Sequence, residues 1–217
     1  MKPTLSLIIL SLMSFASFAA QDLQPVPEGC VMNWGVTAAF DINIPTTDSS
    51  REDFDYCDVP IEYGGAAGAV LRFSWPRGWF VEPGVNVGYD YTSFYPAEIG
   101  NPRVGFGRWR VAVPVTGGYI FNINDDFGIG PVAGVELICN LKSGTVGQPS
   151  TIHYSSSSLW RPVNFAFTVG FEINMGHWAA TTQAHIGVVP YYKGAPDVIY
   201  RQAPITAQVT VAAKYYF

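Results

Sequence analysis

Ten ionisable residues recur at spacings that would set them on one side of extended segments: Asp41, Glu62, Glu82, Asp90, Glu136 and Glu172, with Arg72, Arg108, Arg110 and Lys214. The chemistry open to such a set is ion pairing. A charge enclosed without a partner carries a penalty of several kcal/mol, so enclosed charges must find each other. Arg72 and Glu82 lie at equal distances from Pro76-Arg77-Gly78. A turn there would bring the two face to face. Arg72, Glu82, Arg110, Glu136, Glu172 and Lys214 are therefore expected to form one enclosed ion-pair network.

Catalytic chemistry finds less support. A nucleophile needs a base and a group to orient that base. The three histidines are His153, His177 and His185, and only His153 has hydroxyls beside it, Tyr154 and the Ser155 to Ser158 run. A serine run of this kind reads as a solvated loop. No metal-ligand spacing appears, and no cofactor is expected. The reading is of a protein that is not an enzyme.

What must position the charges is a set of strands. Eight segments alternate apolar with polar or small residues, the period of a strand: 33–44, 61–75, 79–92, 108–121, 127–140, 163–174, 177–188 and 205–217. In the first, Trp34, Val36, Ala38, Phe40 and Ile42 oppose Asn33, Gly35, Thr37, Ala39, Asp41 and Asn43. The last sets Val209, Val211, Ala213, Tyr215 and Phe217 against Gln208, Thr210, Lys214 and Tyr216. Throughout the eight, every Asp, Glu, Arg and Lys falls on the polar face. Hydrocarbon imposes that segregation, because Lys or Arg on a lipid-facing site costs roughly 2–4 kcal/mol at mid-bilayer. The polar face is crowded with Gly, Ala, Ser, Thr and Asn, small residues suited to a narrow lumen.

Composition agrees. Only 13% of residues are charged against 48% hydrophobic and 15% aromatic, too few charges to coat a water-facing exterior, since soluble domains carry roughly 25%. The net charge of −5 offers nothing to nucleic acid. Residues 1–19 read as a secretory signal: Lys2, the apolar Leu5 to Met13, and the small-x-small Ser17-Phe18-Ala19. Residues 20–30 then form a short periplasmic segment and 31–217 a barrel domain. After the leader no apolar run approaches the twenty or so residues a spanning helix needs.

Short turns at Pro76-Arg77-Gly78, 122–126 and Asn174-Met175-Gly176 alternate with long polar segments at 45–60, 93–107, 141–161 and 192–204. Trp34, Trp75, Trp79, Phe121, Phe127, Trp178 and Phe217 all fall at strand ends on the short-turn side, as an aromatic girdle would. The arrangement predicts an all-β, antiparallel up-and-down barrel with both termini in the periplasm and long loops outside. A Cys30–Cys57 disulfide would then have to span the first strand, roughly 40 Å, which leaves Cys57–Cys139 as the possible pair.

With the Trp79-Phe80-Val81-Glu82-Pro83-Gly84 stretch, the Val111-Ala112-Val113-Pro114-Val115 strand and the terminal Ala213-Lys214-Tyr215-Tyr216-Phe217, the chain resembles the small outer-membrane β-barrel proteins of the OmpA/OmpX-like and PorT-like class. The resemblance implies assembly from the periplasm by the barrel-assembly machinery, with Ala213, Tyr215 and Phe217 as the signal it reads. Membrane lipid is the implied surrounding, and one fold of this kind hosts many roles. Phe54, Tyr56, Phe94, Tyr95, Tyr154, Tyr191, Tyr192 and Tyr200 lie in or beside the long segments, which suits a structural, adhesion or partner-binding role toward an extracellular or envelope protein. A narrow pore and a lipid-modifying enzyme stay open as alternatives.

Overall fold

The computed structural model describes residues 29–46, 62–94, 104–124, 126–146, 161–188 and 205–217. The expected signal (1–19), residues 20–28 of the segment after it, Cys57, His153, Tyr154 and the serine run lie outside the described residues. Those described form an antiparallel barrel without helices: β1 (Val31–Thr46), β2 (Glu62–Ser74), β3 (Trp79–Phe94), β4 (Val104–Tyr119), β5 (Phe121–Asn122), β6 (Phe127–Val146), β7 (Val163–Met175), β8 (Trp178–Gly187) and β9 (Ile205–Tyr216). β5 continues β4 past Ile120, so the wall is eight strands thick around its circumference. With β4 and β5 taken as one strand, every strand pairs with its neighbours in sequence, and β9 pairs with β1 to close the sheet. Closure leaves no edge, the condition for a sheet to sit in lipid.

The register fixes the geometry. Stepping from Trp34 across successive strands, through Leu71, the β2–β3 register to Pro83, then Val115, Val135, Phe167, Ile186 and Ala207, returns to β1 at Ile44, a stagger of ten residues. At about 3.3 Å per residue and about 4.8 Å between strands, eight strands with that stagger tilt by about 40° and enclose a cylinder of about 8 Å radius at Cα. Such an interior is only wide enough for side chains.

The tight turns gather on one rim. Trp75 N donates to Trp79 O (2.9 Å) and Gly78 N to Trp75 O (3.0 Å), with Gly78 at φ +90°. A Cβ at Gly78 would stand 2.4 Å from the Ile120 carbonyl oxygen, so both the dihedral and the close approach require glycine. At the β5–β6 turn, Asn124 Oδ1 accepts from the backbone N of Asp126 (3.0 Å) and Phe127 (2.8 Å). The β7–β8 turn holds Gly176 at φ +57°, its N donating to Asp126 O at 2.8 Å.

Three expectations need correction. Residues 45–60, 93–107 and 141–161 are not wholly loop: β1 runs to Thr46, β3 runs to Phe94, β4 starts at Val104, and β6 runs to Val146. Alternation marks only the part of a strand that lies in an apolar band, whereas the hydrogen-bonded ladder continues beyond it. β6 also carries a bulge, since Trp109 pairs with Lys142 but Arg110 with Asn140. The extra residue, Leu141, resets the register above that level.

Burial is the reverse of a soluble domain's. Asp41, Glu62, Asp90, Arg108, Arg110, Glu136 and Glu172 are each at most 3% exposed, while Trp34, Phe40, Val87, Phe167, Phe171 and Val211 are 48% exposed or more. The apolar rows point away from the interior. Val87, near the middle of β3, therefore tests the outside: Val87→Arg is expected to lower the stability of the barrel in phospholipid vesicles by about 2–4 kcal/mol, read by urea titration. On a water-facing surface the same substitution would be close to neutral.

Candidate functional site

The barrel lumen gathers the charges, and the alternation of strands aims them there. Inward positions that carry no Cβ make the room. A methyl at Gly64 would meet Asp90 Oδ1 at 2.0 Å, and one at Gly88 would meet Arg110 Cζ at 3.2 Å. Toward the short-turn rim, a Cβ at Gly118 would meet the Phe80 ring at 2.7 Å.

The ion pairs form tiers. Nearest the short-turn rim, Arg72 Nε donates to Glu82 Oε2 at 2.8 Å, and its Nη2 lies 2.6 Å from Glu172 Oε1. Arg72 and Glu82 thus face each other across the β2–β3 turn. Lys214 Nζ donates to Glu82 Oε1 (2.5 Å) and Glu172 Oε2 (3.0 Å), and Tyr216 Oη donates to Glu82 Oε2 (2.5 Å). The Arg72 guanidinium stacks 4.1 Å from the Phe80 ring centroid and 4.6 Å from that of Tyr216. Phe80, Ile120 and Val132 pack as a buried apolar cluster on that side.

Toward the other mouth, Arg110 donates to Asp41 through Nη2 and to Asp90 Oδ2 through Nε at 3.0 Å, and Arg108 pairs with Asp90. Asp41 Oδ1 also accepts from Gln208 Nε2 (2.9 Å) and Thr210 Oγ1 (2.6 Å). Glu62 accepts from Asn43 Nδ2 at 3.2 Å, with Arg108 3.7 Å away.

Between the tiers, Glu136 Oε2 sits 2.7 Å from His185 Nδ1. A carboxylate only accepts, so the ring carries its proton on Nδ1 there. These residues line a chamber of about 50 Å³, room for a few waters. His185 Nε2 and Asn86 Oδ1 border it without a protein partner among the described residues.

Of the six residues expected in one network, the structure joins Arg72, Glu82, Glu172 and Lys214. Arg110 belongs with Asp41 and Asp90, and Glu136 with His185. His185 falls on the polar face of the 177–188 segment, and nothing in its spacing names Glu136 as its partner. Tyr216, Gln208 and Thr210 were missed as lumen ligands, because a hydroxyl or amide on a polar face carries no signal of what stands across the barrel.

Outside, aromatics ring the short-turn rim. Trp34 stacks on Phe217 at 4.1 Å, Trp79 meets Tyr119 edge-on at 5.0 Å, and Tyr119 meets Phe121 at 4.8 Å. Trp178 meets Tyr215 at 4.9 Å. Trp75 and Phe127 are half-buried at the same rim. Ala213, Tyr215 and Phe217 share the outer face, and Phe217 N donates to Trp34 O at 2.9 Å. A second level includes Tyr89 against Trp109 (5.2 Å), Phe40 near Tyr63 (6.5 Å), and Tyr91. From Tyr119 to Trp109 on β4 is ten residues, about 25 Å along the axis at the tilt above, the height of an outer-membrane apolar band.

Solved structures similar to the chain include neisserial surface protein A, 10% identical over 88% of this chain and 100% of that one, with a TM-score of 0.43. Ail of Yersinia pestis is 11% identical over 86% and 99%, at 0.39. The outer membrane protein OprG from Pseudomonas aeruginosa is 9% identical over 87% and 97%, at 0.42. No family model matches the chain, and no curated protein matches it. The described residues form a closed antiparallel β-barrel of eight strands, charged within and apolar without.

Arg72 touches both carboxylates of its tier. Arg72→Met is expected to cost about 3–5 kcal/mol, the cost of leaving a buried charge without its partner, measured by urea unfolding in vesicles.

Proposed function

We propose that the protein works as a sealed outer-membrane scaffold: a non-catalytic barrel that conducts nothing and presents its long segments for adhesion or partner binding. The observation that carries this is the filled lumen, with Arg72, Lys214, Glu82 and Glu172 interlocked near one end and, among the described residues, a chamber of about 50 Å³ at His185 between the tiers. A hydrated ion finds no continuous passage past buried ion pairs that hold each other this closely. The outer wall, apolar between two levels of aromatics, is matched to lipid, and the aromatics at the rims are read as interface girdles.

In this reading both termini and the short turns lie in the periplasm, and the barrel-assembly machinery reads Ala213, Tyr215 and Phe217. The segments 47–61, 95–103, 147–160 and 189–204 face outward, and their sequences supply Phe54, Tyr56, Tyr95, Tyr154, Tyr191, Tyr192 and Tyr200. Aromatics of this kind suit contact with a protein or glycan surface. Phe94 instead ends β3.

Planar-bilayer recording on the purified protein tests the seal. No steady single-channel conductance is expected, and its absence should persist across salt concentrations. A steady conductance that Glu82→Ala alters would replace the scaffold with a pore.

A further inference from the structure

The outer face of β9 is Ala207, Val209, Val211, Ala213 and Tyr215. A slip of two residues against β1 would keep that face apolar, and lipid, being unstructured, would not distinguish the slipped register from the native one. Where one face is buried in a specific core, that core sets the register; here hydrocarbon sets none. The choice must come from the lumen.

The inner face of β9 carries what the lumen lacks. Among the described residues of the rim-side tier, β2, β3 and β7 bring one cation, Arg72, against two carboxylates, Glu82 and Glu172. The tier is one positive charge short. Lys214 supplies it, reaching Glu82 on β3 at 2.5 Å and Glu172 on β7 at 3.0 Å. Neither strand neighbours β9 in the sheet, whose own partners are β1 and β8. Two residues on, Tyr216 donates to the same Glu82. A slipped register would put Ala212 or Tyr216 at the level of Lys214 and leave a buried carboxylate without its counter-charge.

We propose that Lys214 is the closing key of the barrel: the β1–β9 seam forms in its native register because only there does the last strand neutralise the Glu82–Arg72–Glu172 cluster laid down by earlier strands. The seam is thereby coupled to strands on the far side of the lumen, so closing the sheet and completing the tier are one event.

Ala38 and Ala213 are direct partners across the seam on the outer face. With Cys30, Cys57 and Cys139 replaced by Ser, Ala38→Cys with Ala213→Cys reports native closure through a short thiol cross-linker, on the full chain refolded from urea into vesicles. Adding Lys214→Met is expected to cut the cross-linked yield at least about tenfold, as an unpaired buried charge would. Glu82→Gln added to Lys214→Met is expected to restore most of it, because the tier is neutral again while the volume is kept. If Lys214→Met cross-links like its parent, the proposal is wrong. It is equally wrong if Lys214→Met fails to close and Glu82→Gln does not recover the yield.

Discussion

The constraint on which everything else depends is that an ionised group cannot face hydrocarbon, while a backbone amide cannot go unpaired there. A closed antiparallel ladder answers both demands together. It pairs each strand on both sides and, through the two-residue period, sends one row of side chains to lipid and the next to the interior. Trp34, Val36 and Phe40 lie outside β1 while Thr37 and Asp41 lie inside it. The same chain with a one-residue slip would put Asp41 in the bilayer.

Closure then dictates the interior. A stagger of ten over eight strands leaves a cylinder too narrow for bulk water, so charges excluded from lipid must pair with each other. Arginine serves here because its planar fork meets two carboxylates at once. Arg72 joins Glu82 to Glu172, and Arg110 joins Asp41 to Asp90. Inward glycines at Gly64 and Gly88 matter for what they omit, since their missing side chains are the volume that Asp90 and Arg110 occupy. The tiers are cross-braces between strands far apart in sequence, and they stiffen a sheet whose outer surface gains nothing specific from lipid. In the proposed reading, a braced and filled barrel serves as a closed platform, and recognition falls to the segments beyond its rim.

Much of this was legible in the sequence, and for one reason. Period-two segregation of charge is local, so the eight segments, the direction in which Glu82 or Arg110 points, and the short turns at Gly78 and Gly176 could be read residue by residue. Arg72 and Glu82 could even be paired, because a single turn relates them. The ends of β3, β4 and β6 could not be read, since the ladder outruns the apolar band that produces the pattern. Nor could the bulge at Leu141, which leaves no mark in composition.

The sequence by itself determined the kind of wall: about eight alternating segments, which face each residue takes, and that the inner face carries opposite charges. Tertiary structure alone decided who meets whom across the lumen. That Lys214 joins Glu82 and Glu172, that Arg110 turns to Asp41 and Asp90, and that Glu136 meets His185 depend on stagger, tilt and radius. Those quantities belong to the closed circuit of strands and to no strand taken singly, which is why facing could be read from the chain and partnership could not.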